Sequence, residues 1–118
     1  MLVVTRFVVP DADGAAFRER AEAAVSALAV RPGYRSARLA RAADDPTRWV
    51  LVTEWEGVGA WRRALSSYDV KINATPLLAL AEDEPSAFEV LYTDSALGDA
   101  HRDDSDRAAD ADTAGPIR

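Results

Sequence analysis

Three tryptophans and a handful of hydroxyls carry the chemistry this chain has to offer. Trp49, Trp55 and Trp61 lie close together, with Thr53 two residues before Trp55. Side chains alternate along a strand, so Trp49, Leu51, Thr53 and Trp55 share one face. An indole supplies a flat apolar wall with a single N–H donor, and a threonine hydroxyl both donates and accepts. Such a set can hold an aromatic molecule, and Thr5 or Thr53 can orient a bound phenol. The absence of cysteine removes disulfides, thiolate metal sites and cysteine nucleophiles together.

Each of these residues also has a plainer reading. A strand tryptophan such as Trp55 is more often core than pocket wall. Trp61 lies on the apolar stripe of its helix and is core or wall. Trp49, early in its strand, suits packing at a rim or interface. The commoner explanation of Thr5 and Thr53, among apolar neighbours, is a hydroxyl bonded to backbone. Tyr68 and Asn73 fall in the irregular stretch after the second helix, as ligand contacts or as surface. Glu54 and Glu56 read as ion-pair partners of arginines such as Arg6 or Arg38 rather than as a catalytic base. Glu82-Asp83-Glu84 lacks the spacing of a ligand set and reads as a solvated loop, so no metal is expected. The one histidine, His101, stands in the tail.

The elements that position these residues follow from periodicity. Arg48 to Glu56 is a strand that turns at Gly57 into a short amphipathic helix over about 57–66. Residues 2–9 form a first strand, with Val3, Thr5, Phe7 and Val9 opposite Leu2, Val4, Arg6 and Val8. Asp11 and Asp13 are N-cap candidates for a helix whose apolar stripe is Phe17, Ala21, Ala24, Val25 and Leu28. Arg31-Pro32-Gly33 ends it. Residues 34–42 form a second strand, with Arg35 and Arg41 on one face and Tyr34 and Arg38 on the other, blunted by charge as an edge strand is. Asp44 to Thr47 loops into the next strand as a hairpin. Thr75-Pro76 opens a short helix, and Ser86 to Thr93 is the last strand. The order β-α-β-β-α-β is that of an α+β, ferredoxin-like antiparallel sheet with helices on one face.

The first and third strands are apolar on both faces, whereas a surface sheet keeps one face polar. The chain's helices cover one face. A second copy is expected to cover the face carrying Val4, Val8, Val50 and Val52, making a homodimer.

Residues 94–118 carry seven aspartates against three arginines, so most of the net charge of −6 sits there. With Leu97 and Ile117 as its only large apolar residues, this stretch reads as a disordered acidic tail beyond a domain of residues 1–93. The near-neutral domain disfavours nucleic acid. With no secretory leader pattern and no long apolar run, the expectation is a cytoplasmic protein without a membrane partner. Thirteen arginines to one lysine suit a high-GC bacterial genome.

The block Leu51-Val52-Thr53-Glu54-Trp55-Glu56, then Ala60-Trp61 and Ser66 to Lys71, resembles the antibiotic biosynthesis monooxygenase family. Val4-Thr5-Arg6-Phe7 and Arg31-Pro32-Gly33-Tyr34 match around it, and the resemblance spans residues 1–93. It implies a dimeric α+β barrel in which two ferredoxin-like sheets face each other. Quinone-forming members oxidise phenolic or anthrone-type polyketides with molecular oxygen and no bound cofactor. They use an asparagine and a tryptophan near the end of the third strand and a tyrosine in the next helix. Their tryptophan falls on Trp55, while Leu51 stands at the asparagine position and Trp61 at the tyrosine position. Haem-degrading members use a first-strand asparagine, a second-helix tryptophan and a histidine. Those positions fall on Thr5 and near Ala64 and Ala74, so the haem reading lacks its ligand.

The resulting expectation is a cofactor-independent monooxygenase acting on an aromatic or polyketide-type small molecule, with no cofactor bound. Trp55 is the catalytic candidate, and Thr5, Leu51, Thr53, Trp61, Tyr68 and Asn73 are the substrate-binding candidates. The alternative is a non-catalytic binding or stress-response dimer of the same fold, which the replacements at Leu51 and Trp61 favour.

Overall fold

In the computed structural model, which describes residues 1–102, the chain divides into two units, Met1–Phe88 and Glu89–Arg118. The first contains β1 (Leu2–Val8), a 3-10 turn (Asp11–Asp13), α1 (Gly14–Ala29), β2 (Tyr34–Ala42) and β3 (Asp45–Trp55). Three short helices follow, α2 (Val58–Leu65), α3 (Tyr68–Asn73) and α4 (Thr75–Leu78), and then β4 (Ala87–Phe88). The sheet order is β2-β3-β1-β4, with every pairing antiparallel. This is the ferredoxin-like arrangement the periodicity predicts.

Alternation decides which side of the sheet is covered. Val3, Thr5, Phe7 and Val9 are buried, as are Trp49, Leu51, Thr53 and Trp55. The α1 stripe of Phe17, Ala21, Ala24 and Leu28 packs in the same core. Phe17 sits between Phe7 and Trp49, with ring centroids 5.0 Å and 5.3 Å away. The opposite face carries Val4, Val50 and Val52, half-buried, and Val8, which is 54% exposed.

Asp13 occupies the N-cap position of α1 but makes no side-chain cap bond. The preceding 3-10 turn holds its backbone at φ −98°, ψ 1°, away from the extended conformation a capping side chain needs. Ser67 does cap: its Oγ accepts from the Val70 amide at 3.2 Å and starts α3. Thr75 is the first residue of α4, with Pro76 in the first turn.

Three boundaries differ from what the sequence predicts. A register irregularity between Tyr34 and Ser36 makes Arg35 an extra residue, so Tyr34 pairs with Trp55 on the helix-side face instead of sharing a face with Arg38. β3 starts at Asp45, ahead of Pro46, because the hairpin closes tightly with Ala42 opposite Asp45. There Asp45 Oδ1 accepts from the Thr47 hydroxyl at 2.6 Å and the Thr47 amide at 3.0 Å. Those bonds, the hydroxyl's above all, favour the charged form and hold the Asp45 carboxyl below its ordinary pKa, with Arg48 adding to the effect. Lastly, the expected strand 86–93 pairs with β1 over only two residues. Phe88 already sits opposite Leu2, the first residue of β1, so β1 offers no partner beyond it.

In the second unit, β5 (Tyr92–Ser95) and β6 (Gly98–Arg102) form an antiparallel hairpin. The Leu97 amide donates to Ser95 Oγ in the turn at 3.2 Å. Residues 94–102, read as the start of a disordered tail, thus include paired strand. The remainder of that tail lies outside the described residues.

The charged side chains pair differently from expectation. Arg6 meets Glu84 at 3.5 Å and Arg48 meets Glu82 at 3.3 Å, while Glu54 accepts from the Ser36 hydroxyl at 3.5 Å. The acidic loop therefore takes Arg6, which the sequence assigns to the strand glutamates, and Arg48 as well. All four ion-pairing side chains are well exposed, and such pairs contribute about 0–1 kcal/mol each.

Candidate functional site

Five of the seven candidate residues come together beneath the helices. Thr5 lies opposite Leu51, and Val3 opposite Thr53, across the β1–β3 ladder. Trp55 closes β3 and is 0% exposed. Its ring lies 5.4 Å from Trp61, on α2, and 5.5 Å edge-on from Tyr34. The Trp55 indole N–H donates to the Thr53 hydroxyl at 2.9 Å, a contact that alternation makes natural for residues two apart on one face. Thr53 therefore bonds the neighbouring side chain, where the sequence suggests backbone. Trp55 and Thr53 form a satisfied pair inside packed aromatic surface, and the donor expected for substrate is engaged within the protein.

Tyr68 and Asn73 do not join this cluster. Val70 is the one buried residue of α3. At about 100° per residue, Tyr68 falls on nearly the opposite side of that short helix and is 80% exposed. Asn73 is also exposed, its side-chain amide donating to Asp69 at 2.7 Å one turn back.

A second feature has no counterpart among the candidates. Trp49 is buried opposite Phe7 on β1 and opposite Arg41 on β2. The Arg41 guanidinium stands over its ring, 5.4 Å from the centroid. Unlike Trp55, Trp49 has an indole N–H that is buried without a hydrogen-bond partner. The ring forms one wall of a groove of about 560 Å³ between α1 and the β2–β3 hairpin, with Leu39, Arg18 and Glu22 also at its edge. Trp49 reads as a rim residue in the sequence. What could have singled it out is its place opposite Arg41, which the uneven register at the start of β3 conceals.

Among the described residues, no group of three His, Cys, Asp or Glu side chains is placed to hold a metal ion. No described helix is long and apolar enough to cross a membrane.

An antiparallel sheet in the order β2-β3-β1-β4, its helices on one face and its tryptophans beneath them, defines a ferredoxin-like α+β domain. The chain belongs to the antibiotic biosynthesis monooxygenase family, whose model matches residues 1–71. Among solved structures, it is similar to a mutant of SnoaB, a cofactor-independent oxygenase from Streptomyces nogalater. Identity there is 30%, over 69% of this chain and 82% of that one, with a TM-score of 0.61. The SnoaB structure determined to 1.9 resolution matches at 27% identity over 76% and 94% of the two chains, with a TM-score of 0.59. A conserved protein of Methanosarcina mazei Go1, 17% identical over 73% and 84%, has a TM-score of 0.59 and speaks for the fold alone. No curated protein matches the sequence.

Proposed function

We propose that this protein is a cofactor-independent oxygenase of an aromatic, polyketide-type small molecule. The observation that carries the reading is the character of the helix-side face. Its core is aromatic, and its buried polar side chains among the described residues are Thr5 and Thr53. A substrate carbanion hands an electron to oxygen most readily where water is kept from its charge. The similarity to SnoaB supports the same chemistry. For an anthrone, the overall step joins the substrate with one dioxygen and yields the quinone and one water. The reacting carbon loses two C–H bonds and gains one C=O. The four electrons taken up by dioxygen leave one oxygen atom in the product and the other in water.

Dithranol, an anthrone, tests this in an oxygen electrode with chelator-treated protein free of flavin and haem. Uptake should exceed the spontaneous oxidation at least about ten-fold, a modest demand on any enzyme. It should consume one dioxygen per quinone formed and release no peroxide. Uptake no faster than the protein-free control would sink the proposal. It would favour the second reading, a binding protein of the same fold, which the Trp55–Thr53 bond supports because it withholds the indole donor.

The same reading includes a homodimer closed over the face of Val4, Val8, Val50 and Val52. Burying that apolar surface is favourable by roughly 25 cal/mol per Å². Light scattering at micromolar concentration should give twice the chain mass, and a stable monomer would count against the dimer.

A further inference from the structure

We infer that the groove beside Trp49 is a binding site for a planar aromatic molecule bearing an acidic oxygen, a phenol or enol ionised or nearly so. This rests on the oxygenase reading for its substrate class but places the substrate away from Trp55. Three observations converge on it. A groove of about 560 Å³ is of the size that holds a ligand of two or three rings. Its walls are apolar where a ring would lie, at Trp49, Leu39 and Ala15. Its rim carries two guanidiniums, Arg18 and Arg41, against the single carboxylate of Glu22. Glu22 is held by Arg18 at 3.0 Å, which leaves Arg41 as the cation available to an anion.

Arg41 already stands over Trp49, and a guanidinium in that position both stacks on a ring and donates to an oxygen at the ring's edge. The proposed occupant lies against Leu39 and Trp49 with its acidic oxygen toward Arg41. The residues involved come from α1, β2 and β3, all in the first unit.

Alizarin, an anthraquinone with acidic hydroxyls that air does not oxidise further, is the probe, and unsubstituted anthraquinone is its control. Titration calorimetry on the full chain should show alizarin binding at one site per chain. Anthraquinone should bind at least about ten-fold more weakly, the effect of losing one charge-assisted contact. Arg41→Gln should weaken alizarin about ten-fold and leave anthraquinone unchanged. Ala15→Leu, at an exposed helix position, narrows the groove beside Trp49 and should weaken binding of both. Wild-type protein that fails to bind alizarin, or variants that bind it as tightly as wild type, would overturn the site. Binding that depends on Arg41 and Ala15 without any dithranol oxidation would keep the groove and remove the oxygenase. Dithranol oxidation unchanged in Ala15→Leu would do the reverse.

Discussion

Gly33→Ala should unfold this domain at a markedly lower temperature, by on the order of 15 °C. Gly33 carries the chain from α1 into β2 with φ +89°, a region L side chains rarely adopt. A Cβ there would lie 2.4 Å from the Cβ of Ala60 on α2, closer than two carbons can approach. The backbone conformation costs about 1–3 kcal/mol for a residue with a side chain, and overpacking costs about 1–3 kcal/mol more. Each kcal/mol lowers Tm by roughly 4–8 °C in a domain of this size. The turn cannot simply move aside, because the Gly33 carbonyl accepts from the Glu56 amide at 2.8 Å and ties the turn to the end of β3. Adding Ala60→Gly separates the two terms. It removes the clash and leaves the strained φ, so part of the lost stability should return despite the roughly 1 kcal/mol that glycine costs a helix. A double mutant no more stable than Gly33→Ala alone would limit the packing term to about the 1 kcal/mol that glycine costs the helix.

How much of this fold is legible in the sequence depends on whether a feature follows from local period. The helix-side faces of β1 and β3 follow from alternation alone, and counting residues is enough to put Thr53 and Trp55 side by side. The α1 stripe is equally local, with Phe17, Ala21, Ala24 and Leu28 at helical spacing. Features set by pairing between distant segments are hidden. The extra residue at Arg35 turns Tyr34 onto Trp55, and no alternation count reveals a bulge. β4 stops at Phe88 because β1 begins at Leu2, a limit written in the partner strand. Glu82 and Glu84 find Arg48 and Arg6 only after the chain has folded back past β1. The groove at Trp49 is of the same kind. Its α1 wall is distant in sequence from the hairpin that carries Leu39, Arg41 and Trp49.

The Trp55–Thr53 pair offers the other large effect, and it separates packing from chemistry. Trp55→Ala should cost about 3–5 kcal/mol, because a large, fully buried aromatic is lost from a core that closes around it only in part. Trp55→Phe keeps most of the volume and removes the indole donor, leaving the buried Thr53 hydroxyl to find another partner. Thr53→Val does the converse and strands the indole N–H. Each single change that orphans a buried polar group costs about 1–3 kcal/mol, whereas replacing both partners by apolar groups avoids that penalty. The double variant should therefore be less destabilised than the sum of the singles, by about 1 kcal/mol or more in denaturant titrations. If the pair is purely structural, dithranol oxidation by Trp55→Phe should stay within a few-fold of wild type, in line with a substrate held at Trp49. Additive stabilities combined with a selective loss of turnover, in a protein that melts almost normally, would mean that the substrate draws the indole N–H away from Thr53. Trp55 would then be part of the reaction.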